Sequence, residues 1–291
     1  MTENIIDRNA PIGVFDSGFG GLSAVRELQA LLPSENIVYF GDTARVPYGT
    51  RSRDTLRKYA VQDANFLASN NVKTIVIACG TVSSVAYDII SENYDLPVVG
   101  IVSPACKAAS EVTRNGIIGI WGTGATIKSR SFENEINRLG ESRSEGFRSI
   151  AVACPMLVPL IENGYIDEDC EMTSIAVREY LTDIISAGAD TLILGCTHYP
   201  LISDIIEREW HKFSDGKIIN SGEKTALEVK RILHEKDLLN DGVGKGYLKI
   251  YSSDDMETFS HQAKIFLRYT DKNSGSEEAY FSPDKIEIEK Y

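Results

Sequence analysis

Thr74-Ile75-Val76-Ile77-Ala78-Cys79 and Thr191-Leu192-Ile193-Leu194-Gly195-Cys196 are the two stretches on which the fold reading turns. Each is a threonine, three apolar residues, one small residue and a terminal cysteine. A short continuous apolar run bounded by turn formers is what a strand buried on both faces of a parallel sheet looks like. Two such runs in one chain, 117 residues apart, point to a repeated unit.

Working outward, similar runs lie at 12–15, 37–40, 98–102, 117–121 and 150–153, joining those at 74–78 and 191–194. Stretches of helical periodicity, such as 22–32 and 53–69, separate them. Strands alternating with helices predict an α/β fold with mostly parallel strands. Two further echoes support a duplication. Ile12-Gly13-Val14 is matched by Ile118-Gly119-Ile120, and Ala44-Arg45-Val46-Pro47 by Met156-Leu157-Val158-Pro159. The offsets of 106, 112 and 117 residues drift slowly, as small insertions after a duplication would produce. The expected architecture is therefore two pseudo-symmetric lobes, each a mostly parallel sheet flanked by helices, with the active site in the cleft between them. The first lobe is expected to comprise 11–101 plus about 218–270, and the second 102–217. Residues 271–291, with Asn273-Ser274-Gly275-Ser276-Glu277-Glu278, read as a polar C-terminal tail, and the first ten residues as a short arm.

Composition excludes several classes. With 43% hydrophobic and 25% charged residues over 291 positions, the chain has the balance of a soluble globular protein. A formal charge of −12 argues against a nucleic-acid binder, which needs a basic face. An acidic ligand would have to be attracted by local donors. No stretch approaches the roughly 20 apolar residues of a membrane span, and no signal peptide is visible at the N-terminus. Five scattered cysteines (Cys79, Cys106, Cys154, Cys170 and Cys196) do not make a disulfide framework, and a cytoplasmic location is expected. No metal site is expected either: Cys-x-x-Cys is absent, and His198, His211, His234 and His261 form no paired motif.

In open α/β sheets ligands gather beyond the carboxyl ends of the strands. Those ends carry Asp16-Ser17-Gly18, Gly41-Asp42-Thr43, Cys79-Gly80-Thr81, Gly122-Thr123 and Cys196-Thr197-His198. One cysteine after an apolar strand is unremarkable, since buried free cysteine is common. Two in matching positions of two lobes, each followed by glycine or hydroxyl residues and a helix start, point to chemistry. A helix N-terminus is expected to lower a thiol's pKa toward neutrality. Thiols facing each other across a pseudo-twofold axis suit inversion at a carbon: a thiolate removes a proton from one face while a thiol supplies one to the other. Rival readings are a dinucleotide site and a non-catalytic binding module. Gly18-Phe19-Gly20-Gly21 with Asp42 is a weak dinucleotide fingerprint, because Ser23 occupies the third glycine position.

The motifs, taken in order, resemble those of glutamate racemases. They are Gly13-Val14-Phe15-Asp16-Ser17-Gly18-Phe19-Gly20-Gly21-Leu22-Ser23 and Tyr39-Phe40-Gly41-Asp42-Thr43-Ala44-Arg45-Val46-Pro47-Tyr48-Gly49. Ala78-Cys79, Gly122-Thr123-Gly124-Ala125-Thr126, Ala153-Cys154-Pro155, Val158-Pro159-Leu160 and Leu194-Gly195-Cys196-Thr197-His198-Tyr199-Pro200-Leu201-Ile202 follow, and Ser221-Gly222 with Thr225-Ala226 closes the series. The resemblance implies interconversion of L- and D-glutamate without cofactor or metal, the D form feeding peptidoglycan synthesis. It implies Cys79 and Cys196 as the acid/base pair, assisted by Asp16 and His198. It implies Asp16, Ser17, Pro47, Tyr48, Gly49, Gly80, Thr81, Thr123, Thr126 and Thr197 as substrate contacts, and a homodimer as a common assembly.

One motif departs from the family. Its first cysteine sits in Cys-Asn-Thr, whereas this chain has Cys79-Gly80-Thr81 followed by Val82-Ser83-Ser84. Losing one hydrogen bond to a charged group costs about 1.5–3 kcal/mol. Three readings follow: a glutamate racemase with a compensated pocket; a superfamily relative acting on aspartate or with decarboxylase-like chemistry; or a weakly active or non-catalytic glutamate-binding homologue. Retention of both cysteines, Asp16 and His198 favours the first. Cys106, Cys154 and Cys170 read as structural, and His211, His234 and His261 as surface or satisfied histidines. Arg45 and Lys107 read as surface charges or substrate-steering groups.

Overall fold

The computed structural model of the protein describes residues 6–141, 146–254, 256–267 and 284–291. In chain order the first part runs β1 (Ile12–Asp16), α1 (Leu22–Leu31), β2 (Ile37–Gly41), α2 (Arg53–Ser69), β3 (Thr74–Ile77), α3 (Gly80–Asn93), β4 (Val98–Gly100) and α4 (Val102–Val112). Next come β5 (Ile117–Gly122), α5 (Gly124–Ser129), α6 (Ser131–Gly140), β6 (Arg148–Ala153), α7 (Leu157–Glu162), α8 (Glu171–Ser186), β7 (Thr191–Leu194), α9 (Ser203–Trp210) and β8 (Lys217–Asn220). The chain ends with α10 (Ser221–Glu235), β9 (Leu248–Ser252), α11 (Met256–Leu267) and β10 (Asp284–Lys285).

The strands form two sheets, ordered β10-β9-β2-β1-β3-β4 and β6-β5-β7-β8, and every pairing is parallel. The segment β2-β1-β3-β4 has the same order as β6-β5-β7-β8, so the duplication read from the sequence is a duplication of topology. The apolar composition of β1, β3 and β7 follows from their place: all their residues are buried, with helices on both faces. In each sheet the chain leaves the first strand, pairs a second on one side, then crosses to place a third on the other. This is the topological switch point, where connections diverge and leave a crevice at the carboxyl ends. Cys79 follows β3 and Cys196 follows β7, so both thiols emerge at switch points.

Three expectations are corrected. The strand expected at 98–102 stops at Gly100, because the Ser83 hydroxyl accepts the Ile101 N–H at 2.9 Å and turns the chain into α4. Pro104 is tolerated there because a first-turn residue has no intrahelical acceptor for an N–H. The lobe boundary expected near 218 falls later, since β8 pairs with β7 in the second sheet. The segment expected as a polar tail returns to the first lobe: β10 pairs with β9, Ile288 is fully buried, and the Tyr291 carbonyl accepts from the Asn65 amide at 2.9 Å. Residues 271–283 of that segment lie outside the described residues. No helix among the described residues is long and apolar enough to cross a membrane.

At the end of the first sheet opposite the thiols, the fully buried Lys73 ion-pairs with Glu35. Its ammonium also donates to the carbonyls of Arg8 (2.6 Å) and Leu238 (2.9 Å), while Glu35 accepts the Asn240 N–H at 2.8 Å. Burial pushes the lysine pKa down, and the pairing with Glu35 opposes it. Removing one partner strands a buried charge and two carbonyls. Lys73→Ala is therefore expected to lower unfolding free energy by about 3–5 kcal/mol, measured by chemical denaturation; a loss below about 1 kcal/mol would count against a structural role for the pair.

Candidate active site

The site is built from strand ends, so its residues are held by the sheets and not by long loops. Cys79 is the N-cap residue of α3, and Cys196 stands two residues past the end of β7. Both are 6% exposed. Asp16, at the end of β1, accepts the Gly18 N–H on Oδ1 at 2.9 Å and faces the Thr197 hydroxyl with Oδ2 at 3.5 Å. The lobes are thus joined beside the thiols. A second link is the Ser23 hydroxyl, which donates to the Thr197 carbonyl at 2.7 Å. A third is a chain of hydroxyls: Thr81 to Thr123 at 2.9 Å and Thr123 to Thr126 at 3.0 Å. Thr123 also caps α5 by accepting the Thr126 N–H at 3.3 Å. Gly49 faces this chain from the first lobe: a Cβ there would lie 3.7 Å from Thr123 Cβ.

The glycines after β1 have a packing explanation. A Cβ on Gly20 would fall 2.3 Å from the Thr197 hydroxyl and 2.5 Å from the His198 ring. One on Gly21 would fall 2.6 Å from Asp16 Cβ. This turn lies against the Cys196-Thr197-His198 turn of the other lobe, so the start of α1 is covered by protein and is not left as a phosphate cradle.

Each thiol has different attendants. The Cys79 thiol donates to Ser17 Oγ at 3.4 Å. Its pKa is pushed up to about 12, by burial first and then by the nearby Asp16 carboxylate; hydrogen bonds from Ser17 and Val82 pull the other way. The expected helix-start depression is outweighed, because withdrawal from water and a like charge both disfavour a thiolate. Burial also raises Asp16, against the His198 charge and the N–H groups of Gly18 and Gly21.

On the other side, His198 Nδ1 lies 3.8 Å from Cys196 Sγ, and Nε2 lies 2.9 Å from Glu162 Oε1 at the end of α7. Burial by itself would lower the imidazole pKa, but hydrogen bonds to Cys196 and Glu162 and their charges prevail and raise it to about 10. The ring is wedged edge-on against Phe266, with centroids 5.1 Å apart. Gln262 donates to the Glu162 carbonyl at 3.0 Å. Glu162, Gln262 and Phe266 escaped the sequence reading. Only Glu162 had a local signal, following Val158-Pro159-Leu160 by two residues; the α11 pair comes from a distant element with no motif.

The second motif is anchored inward. The Val46–Pro47 peptide is cis, and Tyr48 is buried, with its hydroxyl donating to Asp42 and, at 3.3 Å, to Asp63. Arg45 pairs with Asp42 and, at 2.8 Å, with Asp63, its guanidinium 4.1 Å from the Tyr59 ring centroid. Arg45 is therefore an interior counter-ion and neither a surface charge nor a steering group; Lys107 is exposed. The Tyr48 hydroxyl is committed to these carboxylates, so Pro47, Tyr48 and Gly49 have only backbone groups left for hydrogen bonds to a ligand. Cys106 and Cys154 are buried, and burial raises both thiols. Cys170 is half-buried at the start of α8.

Comparison with known proteins agrees with this architecture. The profile of the Asp/Glu/hydantoin racemase family matches residues 21–221, which defines the class as racemases of this α/β type. The chain is 44% identical to the glutamate racemase of Persephonella marina over 85% of its own length and 90% of that protein's. It is similar in structure to the glutamate racemase of Francisella tularensis solved in complex with D-glutamate, with a TM-score of 0.84, 32% identity and coverage of 98% and 100% of the two chains. A glutamate racemase isoform of Bacillus anthracis superimposes with a TM-score of 0.86 at 33% identity, covering 96% and 98%. The chain belongs to the glutamate racemase family.

His198 is expected to remain protonated well above pH 6.5, titrating near pH 10 when followed by NMR. Its partnership stabilises the fold fully below pH 6.5, and that contribution is lost as pH rises through about 10. In Glu162→Gln one of the two acceptors loses its charge, so the imidazole should titrate at least about one pH unit lower. An unchanged titration would show that Glu162 does not hold the proton on the ring.

Proposed function

We propose that the protein interconverts L- and D-glutamate by two-base proton transfer between Cys79 and Cys196, without cofactor. The observation that carries this reading is the equivalent emergence of the two thiols from β3 and β7 at one seam. In one direction a thiolate removes the α-proton and the opposite thiol delivers its own proton to the other face. In the reverse direction the roles exchange, and the atoms balance because each thiol ends in the state its partner began. Asp16 and Ser17 attend the Cys79 side. His198, with Glu162 behind it, can share a proton with the Cys196 sulfur.

An α-proton beside a carboxylate is very weakly acidic, so negative charge developing on that carboxylate needs preorganised donors. The hydroxyls of Ser17, Thr81, Thr123, Thr126 and Thr197 and the N-terminal N–H groups of α3 and α5 would supply them, which suits a protein whose overall charge is −12. The substrate sits, in this reading, in the cleft between the lobes, and the seam must part to admit it. The product D-glutamate would enter peptidoglycan synthesis. The five cysteines described are unpaired, which suits a reducing cytoplasm.

Incubation with L-glutamate in D₂O should show loss of the α-proton NMR signal together with decay of optical rotation. Cys79→Ser and Cys196→Ser should each slow inversion by about 10²–10⁴-fold, since a hydroxyl is a far weaker base at neutral pH. Near-normal rates in both directions for either variant would sink the two-base assignment; no exchange by the parent protein would sink the racemase activity itself.

A further inference from the structure

The two strand-end turns that carry Ser17 and Thr123 are built differently. Thr123 alone separates β5 from α5, and its hydroxyl and carbonyl cap that helix at once. In the first lobe residues 17–21 lie between β1 and α1, a stretch of backbone that belongs to neither strand nor helix. The carbonyls of Phe19, Gly20 and Gly21 accept the first N–H groups of α1 at 3.0–3.1 Å. The carbonyl of Gly18 is met instead from β2, where the Tyr39 hydroxyl donates to it at 2.8 Å. Asp16 Oδ1 takes the Gly18 N–H at 2.9 Å, so this buried residue is gripped at both ends.

Tyr39 is well placed to hold that grip. It is fully buried in the middle of β2, opposite Val14 of β1, with its ring centroid 6.5 Å from that of Phe259. A Cβ on Gly21 would lie 3.0 Å from the tyrosine ring, and one on Gly41 would fall 2.3 Å from the Gly18 oxygen. The turn is thus seated directly on the end of β2. Burial first, and then the nearby Asp16 and Cys79 charges, raise the phenol well above its ordinary pKa, so the hydroxyl stays a donor at neutral pH. The second lobe has no such device: the residue paired with Ile120, the counterpart of Val14, is Ala151.

We propose that Tyr39 is a positioning residue for the Cys79 side of the site: by fixing Gly18 from β2, its hydroxyl holds the preceding Ser17 Oγ at 3.4 Å from the Cys79 sulfur. On the other flank of Ser17 the Asp16 carbonyl accepts the Asp42 N–H at 3.0 Å, so the serine hangs between two anchored peptides. Phenylalanine at position 39 would keep the ring but leave the buried Gly18 oxygen without this donor. A buried acceptor without a partner is costly, and the turn relieves that cost by rotating the Gly18 peptide, which carries Ser17 away from the thiol. The gripping groups all belong to the first lobe, so the hold persists when the seam parts for substrate.

The catalytic consequence rests on the two-thiol reading above; the hold on the turn does not. Tyr39→Phe, Ser17→Ala and the double variant test both. The Gly18 amide, followed by NMR, is expected to exchange with D₂O at least about fivefold faster in Tyr39→Phe, with the amides of α1 within twofold of the parent. Glutamate inversion should fall at least about tenfold in kcat with KM within about threefold, since a reacting group loses its placement and not the substrate its contacts. Because Tyr39 acts through Ser17, the double variant should be no more than about twofold slower than Ser17→Ala alone. A kcat within twofold of the parent, or losses that multiply in the double variant, would overturn the proposal. Loss of cooperative unfolding in Tyr39→Phe would overturn it as well, by assigning the hydroxyl to the folding of the first lobe. A parent without glutamate inversion would defeat the proposed function, while amide exchange would still decide whether Tyr39 holds the turn.

Discussion

Two parallel sheets face each other with their switch points, and at the seam the polar ends of each lobe are saturated by the other. Asp16 meets Thr197, Ser23 meets the Thr197 carbonyl, and Thr81 meets Thr123. A buried polar group without a partner is expensive, so these crossings hold the two lobes in one register. The glycines at 20 and 80 fit that register sterically: the Thr197 and His198 side chains fill the space beside Gly20, and the Gly195 carbonyl fills it beside Gly80. The rest of the site inherits its geometry from this contact.

Symmetry of topology does not extend to electrostatics. On the Cys79 side a buried thiol shares its surroundings with an acid, and desolvation with like charge keeps the proton on sulfur. On the Cys196 side a histidine is held between sulfur and the Glu162 carboxylate and retains its proton far above its ordinary range. A reaction that runs in both directions needs one loaded and one unloaded base at any moment, and unequal neighbours are a way to hold two like groups in different states.

Support for the site reaches further than the strand ends. The loop that carries Pro47, Tyr48 and Gly49 is anchored through Tyr48 and Arg45 to Asp42 and Asp63, both fully buried. Two carboxylates around one guanidinium leave an excess of negative charge, and burial with the neighbouring Asp42 raises the Asp63 pKa well above the usual carboxylate range. On the other side α11 brings Phe266 onto the His198 ring and Gln262 onto the backbone of Glu162. These contacts orient the groups without touching the thiols.

Periodicity by itself determined seven of the ten strands described and their parallel pairing class. Apolar runs such as 191–194 can be buried on both faces only in a parallel sheet covered by helices, and the repeated order of motifs foretold the repeated strand order. The same local signals located the thiols, Asp16, the threonines and His198, because strand ends are where a covered parallel sheet leaves side chains accessible to chemistry. What escaped were facts about neighbours distant in the chain. The ladder that draws β8 into the second sheet and the docking of Ile288 depend on partners that no local pattern names. The Cys79 pKa depends on how much water is excluded around it, and the inward turn of Tyr48 on two carboxylates beneath it. The meaning of Gly80 is the clearest case. From the sequence it was a missing amide; only the folded molecule shows that the carbonyl of Gly195 lies where any side chain would have to begin.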